Sequence, residues 1–197
     1  MRRCKLPFFP IFINLEKYRI LIAGGGHVAC RKAQQLAEYT GNITVVSPVF
    51  TGDFQKLEDR ITLKRRSFSY DDLLNADLVI AATDDGELNA GIYRRCHESG
   101  IPVNVVDCPE NCDFYFPALV KRDDLVIGIS SSGKAPGVSG AVRRILDDRL
   151  PRHAGELLTE IGNLRKKILA EGKKPADNQE YNALIEHFAE ETEGVFK

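Results

Sequence analysis

The sequence predicts an α/β protein: a doubly wound parallel sheet, then a small connecting region and a helical carboxyl-terminal domain. Three observations carry this expectation. Short Val- and Ile-rich runs alternate with helix-patterned segments between residues 19 and 107. One run, Leu78-Val-Ile-Ala-Ala82, is apolar throughout, which suits a strand covered by helices on both faces. A glycine cluster, Gly24-Gly-Gly26, separates the first run from the first helical pattern.

The first strand is expected over Arg19-Ile-Leu-Ile-Ala23, and the first helix over 30–39, where Ala33, Leu36 and Ala37 recur at helical spacing. Asn42-Ile-Thr-Val-Val-Ser47 gives the second strand, closed by Pro48. A short helix near 54–57 and a third strand over 61–65 follow. A helical turn opens at Tyr70 before the all-apolar fourth strand. A helix over 87–99 then ends at Gly100 and leads to a fifth strand, Pro102-Val-Asn-Val-Val-Asp107. Beyond Phe116 the character changes. A strand is expected over 124–130, then the turn-rich Ser131-Ser-Gly-Lys-Ala-Pro-Gly137, then amphipathic helices over 138–150 and 154–170 split by Pro151. Residues 172–175 form a linker, and 179–193 an acidic helix. The expected domains are 1–116, 117–151 and 152–197.

The 197 residues carry 27 Lys and Arg against 28 Asp and Glu, a net charge of −1. Near-neutrality argues against a nucleic-acid partner. Its distribution is uneven: residues 1–140 balance, 141–174 carry +4 and 175–197 carry −5. No apolar run approaches the ~20 residues that cross a bilayer, so no membrane partner is expected. The basic start, Met1-Arg-Arg-Cys-Lys5, lacks the apolar stretch of a signal peptide. Five cysteines (4, 30, 96, 108 and 112) without framework spacing suit reduced thiols and a cytoplasmic location.

Gly24-Gly-Gly-His-Val-Ala29 fits G-x-G-x-x-[GA] in the strand–turn–helix setting that dinucleotide binding requires. Gly24 permits the tight turn, and Gly26 lets backbone N–H groups approach a pyrophosphate at the helix start. The backbone of His27 and Val28 is expected to border the cofactor, without a catalytic role for the imidazole. An acid usually holds the ribose at the end of the second strand. Here Ser47 and Pro48 stand there, and 48–59 hold no Arg for a 2′-phosphate, so the cofactor is read as NAD. Thr83 follows the fourth strand and is expected at the cofactor. Asp84 and Asp85 read equally well as caps of the next helix. Cys108 and Cys112, four apart without a second pair, do not make a metal site, and no metal is assigned.

Phe9-Pro-Ile-Phe12, the glycine turn, Arg31-Lys-Ala33, Ala81-Ala-Thr-Asp84, Asn104-Val-Val-Asp107 and Ser130-Ser-Ser-Gly-Lys-Ala-Pro136, in this order, resemble the precorrin-2 dehydrogenases of siroheme biosynthesis. That family includes stand-alone dehydrogenases, bifunctional dehydrogenase–ferrochelatases and the amino-terminal module of siroheme synthase. The resemblance spans about residues 9–165. It implies an NAD-binding Rossmann domain, a small dimerisation region and a helical carboxyl-terminal domain, in a homodimer. The sequence ends before any methyltransferase portion. The implied reaction oxidises precorrin-2 to sirohydrochlorin with NAD, and ferrous iron is a further substrate in the bifunctional members.

Asp107 matches the family's functional aspartate and stands where open α/β sheets put ligand chemistry; as a carboxylate it can take a proton or assist metal insertion. The alternative is that it only caps the following turn. The tetrapyrrole is a polycarboxylate, so Lys134, Arg143, Arg144, Arg149 and Arg152 are candidate substrate cations; a solvated basic face is the other reading. His153 matches a family Leu-Pro-x-His segment and joins that set, without a role assigned by its chemistry. Ser131 lies at a position phosphorylated in some members. A competing reading from another class is an NAD-sensing regulatory module.

Overall fold

In the computed structural model, residues 8–193 are described; the basic start with Cys4 and Pro7, and residues 194–197, lie outside them. The chain divides into two compact units, Met1–Tyr115 and Phe116–Lys197.

The first unit is a five-stranded parallel sheet in the order β3-β2-β1-β4-β5, from β1 (Ile20–Ala23), β2 (Ile43–Ser47), β3 (Thr62–Arg65), β4 (Leu78–Ala81) and β5 (Val103–Val105). Helix α1 (His27–Leu36) connects β1 to β2, and α2 (Gly86–Glu98) connects β4 to β5. Three-residue-per-turn helices at Gly52–Leu57 and Tyr70–Asn75 make the remaining crossovers. Every residue of β1 and β4 is buried, as their unbroken apolar sequences require. Leu21, Ala23, Val46, Val79, Ala81, Val103 and Val105 form one packed cluster with Ile92 and Cys96 of α2. Each buried Ile or Val stabilises the fold by roughly 1.5–3 kcal/mol.

Alternation turns the other set of strand residues to the opposite face. Register aligns Leu63, Val45, Ile22, Ile80 and Asn104 in one row across the sheet. The row ends in a buried amide. At the opposite end of the strands, Asp77 receives Arg19 N at 2.8 Å, Arg19 Nε at 2.8 Å and Nη2 at 2.7 Å. This bidentate fork fastens the entry of β4 to that of β1 and holds the Asp77 carboxyl well below the usual carboxylate range.

Two boundaries differ from the sequence reading. Helix α1 begins at His27 rather than residue 30, because Gly26 is extended and serves as its N-cap. Strand β5 stops at Val105 rather than Asp107. Asp107 has φ 60°, in the left-handed region, and turns the chain away from the sheet.

The second unit opens with an antiparallel hairpin, β6 (Ala118–Arg122) and β7 (Leu125–Ile129), joined by Asp123 and Asp124. Asp123 has φ 50°, as a two-residue turn demands. Helices α3 (Pro136–Arg149), α4 (Ala154–Ala170) and α5 (Gln179–Thr192) follow. Val120, Leu150 and Ala154 form its core, with Leu125, Ile127, Ile129, Leu146 and Phe188 packed around them. Gly155 permits close approach of α4 to the hairpin, since a Cβ there would lie 2.5 Å from Arg122 O. Arg122, its side chain 9% exposed, reaches Asp147 Oδ1 at 2.9 Å and the carbonyls of Asp147 and Leu150 at 2.6 and 3.3 Å, closing the end of α3. Among the described residues no helix is long and apolar enough to cross a membrane.

Candidate cofactor and active site

The carboxyl ends of four strands, β2, β1, β4 and β5, are joined by bonds from residues just beyond the strands. Gly24 N donates to Val46 O at 2.9 Å, Ala82 N to Ala23 O at 2.8 Å and Val106 N to Ala81 O at 2.9 Å. The glycine turn, the Ala82–Thr83 loop and the loop leaving β5 therefore share one edge.

The three glycines answer different demands. Gly24 has φ 120°, and a Cβ there would stand 2.1 Å from Ala82 O. A Cβ at Gly25 would stand 2.1 Å from Val49 O and 2.7 Å from Ser47 Oγ. At Gly26, nothing among the described residues lies within 4 Å of that position. Gly24 and Gly25 are thus small because the protein itself crowds them, while Gly26 borders open space. Its missing side chain leaves the first N–H groups of α1 facing that space, which fits a pyrophosphate. The sequence pattern singled out Gly24 and Gly26 but passed over Gly25.

Ser47 is buried, and its hydroxyl donates to Val49 O at 2.7 Å; its lone pairs remain to accept. Pro48 is exposed and Val28 half-buried. The His27 imidazole is 83% exposed, with Nδ1 3.9 Å from Asp53 Oδ2, so only its backbone lines the turn. Thr83 is held by buried Asn89: the Asn89 amide donates to Thr83 O at 2.9 Å, and its Oδ1 accepts from Thr83 N at 3.2 Å and Oγ1 at 2.8 Å. Asp85 caps α2, accepting from Glu87 N and Leu88 N. Asn89 has no motif, and only the fold reveals its task.

Asp107 is exposed on the loop leaving β5. Beneath it Asn104, at the end of the cross-sheet row, donates to Phe114 O at 2.9 Å and to Cys112 Sγ at 3.3 Å. Cys112 lies within 3.2 Å of Val105 O, and burial raises its thiol pKa. Burial raises Cys108 likewise. Both are therefore neutral thiols that brace the loop. The described residues contain no group of three or more His, Cys, Asp or Glu arranged for a metal. Lys32, half-buried on α1, feels both Asp107 and Cys112. Burial and neighbouring Arg31 lower its ammonium to about 8, against the opposing pull of Cys112 and Asp107.

The candidate substrate cations belong to the second unit. Arg143, Arg144 and Arg149 lie on α3, and Arg152 and His153 in the turn before α4. Arg143 Nη1 is 3.3 Å from Asp147 Oδ2, and His153 Nε2 is 3.5 Å from Glu191 Oε2. Arg144 and Arg152 are exposed. Lys134 is exposed in the turn before α3, where Ser131 Oγ accepts from Ala135 N at 3.2 Å.

A family model described as "Putative NAD(P)-binding" matches residues 11–118, more than half the chain. The chain belongs to this NAD(P)-binding family. Around its NAD(P)-binding domain the chain is 38% identical over 168 residues to siroheme synthase 2 of Aeromonas hydrophila subsp. hydrophila, covering 84% of this chain and 36% of that one. It is 41% identical over 164 residues to the siroheme synthase of Psychrobacter arcticus, covering 82% and 30%. The chain spans about a third of the length of these curated relatives. A solved structure of SirC, precorrin-2 dehydrogenase, has a TM-score of 0.71 at 21% identity, covering 82% of this chain and 80% of that one. The NAD(P)-binding domain and the helical part thus share that fold.

Proposed function

We propose that this chain is a precorrin-2 dehydrogenase of siroheme biosynthesis, oxidising precorrin-2 to sirohydrochlorin with NAD. The observation that carries this reading is Asp107: a carboxylate in a left-handed backbone conformation, on the same sheet edge as the glycine turn. The siroheme synthases and SirC resemble the chain in sequence and fold, which supports the same substrate. Bound NAD supplies the acceptor for two electrons and one proton, so that precorrin-2 and NAD⁺ give sirohydrochlorin, NADH and one further proton.

The chain's own residues do the rest. The first amides of α1 and Gly26 hold the pyrophosphate, Ser47 accepts from the ribose, and Thr83 walls the crevice. Asp107 takes the remaining proton, or assists metal insertion where ferrous iron is a second substrate. Lys134, Arg143, Arg144, Arg149, Arg152 and His153 are the set from which the macrocycle's carboxylates draw their partners. The location is cytoplasmic.

The partner is a second copy of the chain, through a region at about 117–151. Val138, Val142 and Ile145 are 58%, 37% and 51% exposed and recur at one helical face of α3. The hairpin β6–β7 is a two-stranded sheet, which gains stability from further packing.

The test is to incubate purified chain with precorrin-2 and NAD and follow NADH, then add ferrous iron and look for siroheme. NADH formation that falls in Asp107→Ala with NAD binding retained is expected. A wild-type chain that binds NAD yet leaves precorrin-2 and sirohydrochlorin unbound overturns the reading in favour of a nucleotide sensor.

A further inference from the structure

The ribose end of the crevice contains a cation that the sequence reading did not reach. Residues 48–59 hold no Arg, but sheet register pairs Ser47 of β2 with Arg65 at the end of β3. The ribose position and a guanidinium thus sit on adjacent strand ends, with side chains on one face. Arg65 Cζ lies 5.2 Å from the Phe50 ring centroid. Phe50 in turn meets buried Phe54 edge-on, with centroids 5.0 Å apart. Thr51 N donates to Gly25 O at 2.9 Å, which ties this loop to the glycine turn. Ser47, Phe50 and Arg65 therefore border the end of the crevice where an adenosine ribose belongs.

Arg65 is already engaged. Its Nη2 lies 2.7 Å from Glu58 Oε1, with both side chains about half exposed. An arginine in this region commonly receives the 2′-phosphate of NADP, and a carboxylate in this region commonly receives the free hydroxyls of NAD. Here one of each is present, each occupying the other.

We propose that Glu58 and Arg65 form the pair that sets cofactor choice: Glu58 holds the guanidinium and puts a negative charge where a 2′-phosphate would come, so the site takes NAD. The inference rests on the reading of NAD as the cofactor. It adds the residues that would make the choice, neither of which belongs to the glycine motif. Glu58 opposes NADP in two ways, by occupying Arg65 and by repelling a dianion. An unliganded guanidinium in the same position is a bidentate phosphate receptor. Because the pair is exposed, its strength is modest, and a 2′-phosphate released from Glu58's repulsion competes readily for Arg65.

The experiment is calorimetric titration of NAD and NADP into the intact wild-type chain, Glu58→Gln, Arg65→Met and the double variant. No substrate is needed. Wild type is expected to bind NAD more tightly. Glu58→Gln is expected to strengthen NADP binding by about tenfold, while NAD changes by less than about threefold. Adding Arg65→Met is expected to remove the gain. If wild type prefers NAD and Glu58→Gln leaves the NADP-to-NAD ratio unchanged, or if the gain persists without Arg65, the pair assignment is overturned and the NAD reading stands. A wild-type chain that prefers NADP overturns the NAD reading itself, and with it the discriminating role of Glu58.

Discussion

Asn89 grips Thr83 through three hydrogen bonds, two to its backbone and one to its hydroxyl, at 2.9, 3.2 and 2.8 Å. Asn89 stands in the first turns of α2, so the wall of the crevice is set by the helix that follows it. Asn89→Ala leaves the Thr83 N–H and carbonyl without these partners and is expected to destabilise the chain by about 1–3 kcal/mol. It is also expected to weaken NAD binding by roughly tenfold, as a loosened wall no longer meets the cofactor in one conformation. Urea denaturation and calorimetric titration check both; a variant with unchanged NAD affinity separates Thr83 from the site.

Substitutions in the glycine turn should separate folding from binding. Gly24→Ala forces a Cβ onto Ala82 O in a backbone conformation that L-residues rarely adopt, and a folded yield far below wild type is expected. Gly26→Ala meets open space and is expected to fold with a midpoint close to wild type. Its added methyl then stands where the pyrophosphate comes, so NAD affinity is expected to fall by at least about tenfold. Thermal melts with and without NAD distinguish the two: ligand should raise the midpoint of wild type but hardly that of Gly26→Ala.

Arg122 is the electrostatic anchor of the second unit. Arg122→Met removes the donor of two carbonyls at the end of α3 and leaves the Asp147 carboxylate with Arg143 alone. A loss of about 1–3 kcal/mol is expected in chemical denaturation of the whole chain, since the nearly buried guanidinium is the donor to two carbonyls at a helix end. Arg122→Lys is expected to recover only part of it, because one ammonium cannot reproduce the fork.

Lys32 gives the first unit a pH dependence. Its folded-state value of about 8 lies below the ordinary 10.5. The charged form is therefore penalised on folding, fully at pH 7, and the penalty is relieved as pH rises from 8 past 10.5. Lys32→Met is expected to be more stable than wild type at pH 7 by about 1 kcal/mol, after allowance for solvent screening. By pH 10 the difference should have nearly vanished. Paired urea titrations at the two pH values measure this, and a constant difference would contradict it.

The parallel sheet was legible in the sequence because its central strands β1 and β4 are apolar on both faces, a pattern that needs no tertiary context. The glycine motif was legible for the same reason: its demands are local. Strand β6 escaped notice because Ala118-Leu-Val-Lys-Arg122 is short and only Val120 is buried, so it lacks a clean period. Asn89 and Asn104 escaped because a buried amide looks like any polar residue until the carbonyls it answers are known. Arg65 is not legible from the segment after β2, which carries no arginine through residue 59, because register brings the cation across from β3. The cations of α3 and the following turn were found by composition, which reports charge but not the carboxylates, such as Asp147, that answer it.

The three hydrogen bonds that join β2, β1, β4 and the loop after β5 at their outgoing ends bear on how the crevice breathes. Each amide is anchored on the strand next door, so none of the three loops can lift without opening its neighbour's ladder. Gly24, Ala82 and Val106 should accordingly exchange their amide protons slowly and with similar protection, like core positions rather than loop positions. The mouth of the sheet then behaves as one rigid lip, and adaptation to a ligand is left to side chains and to the segments beyond it.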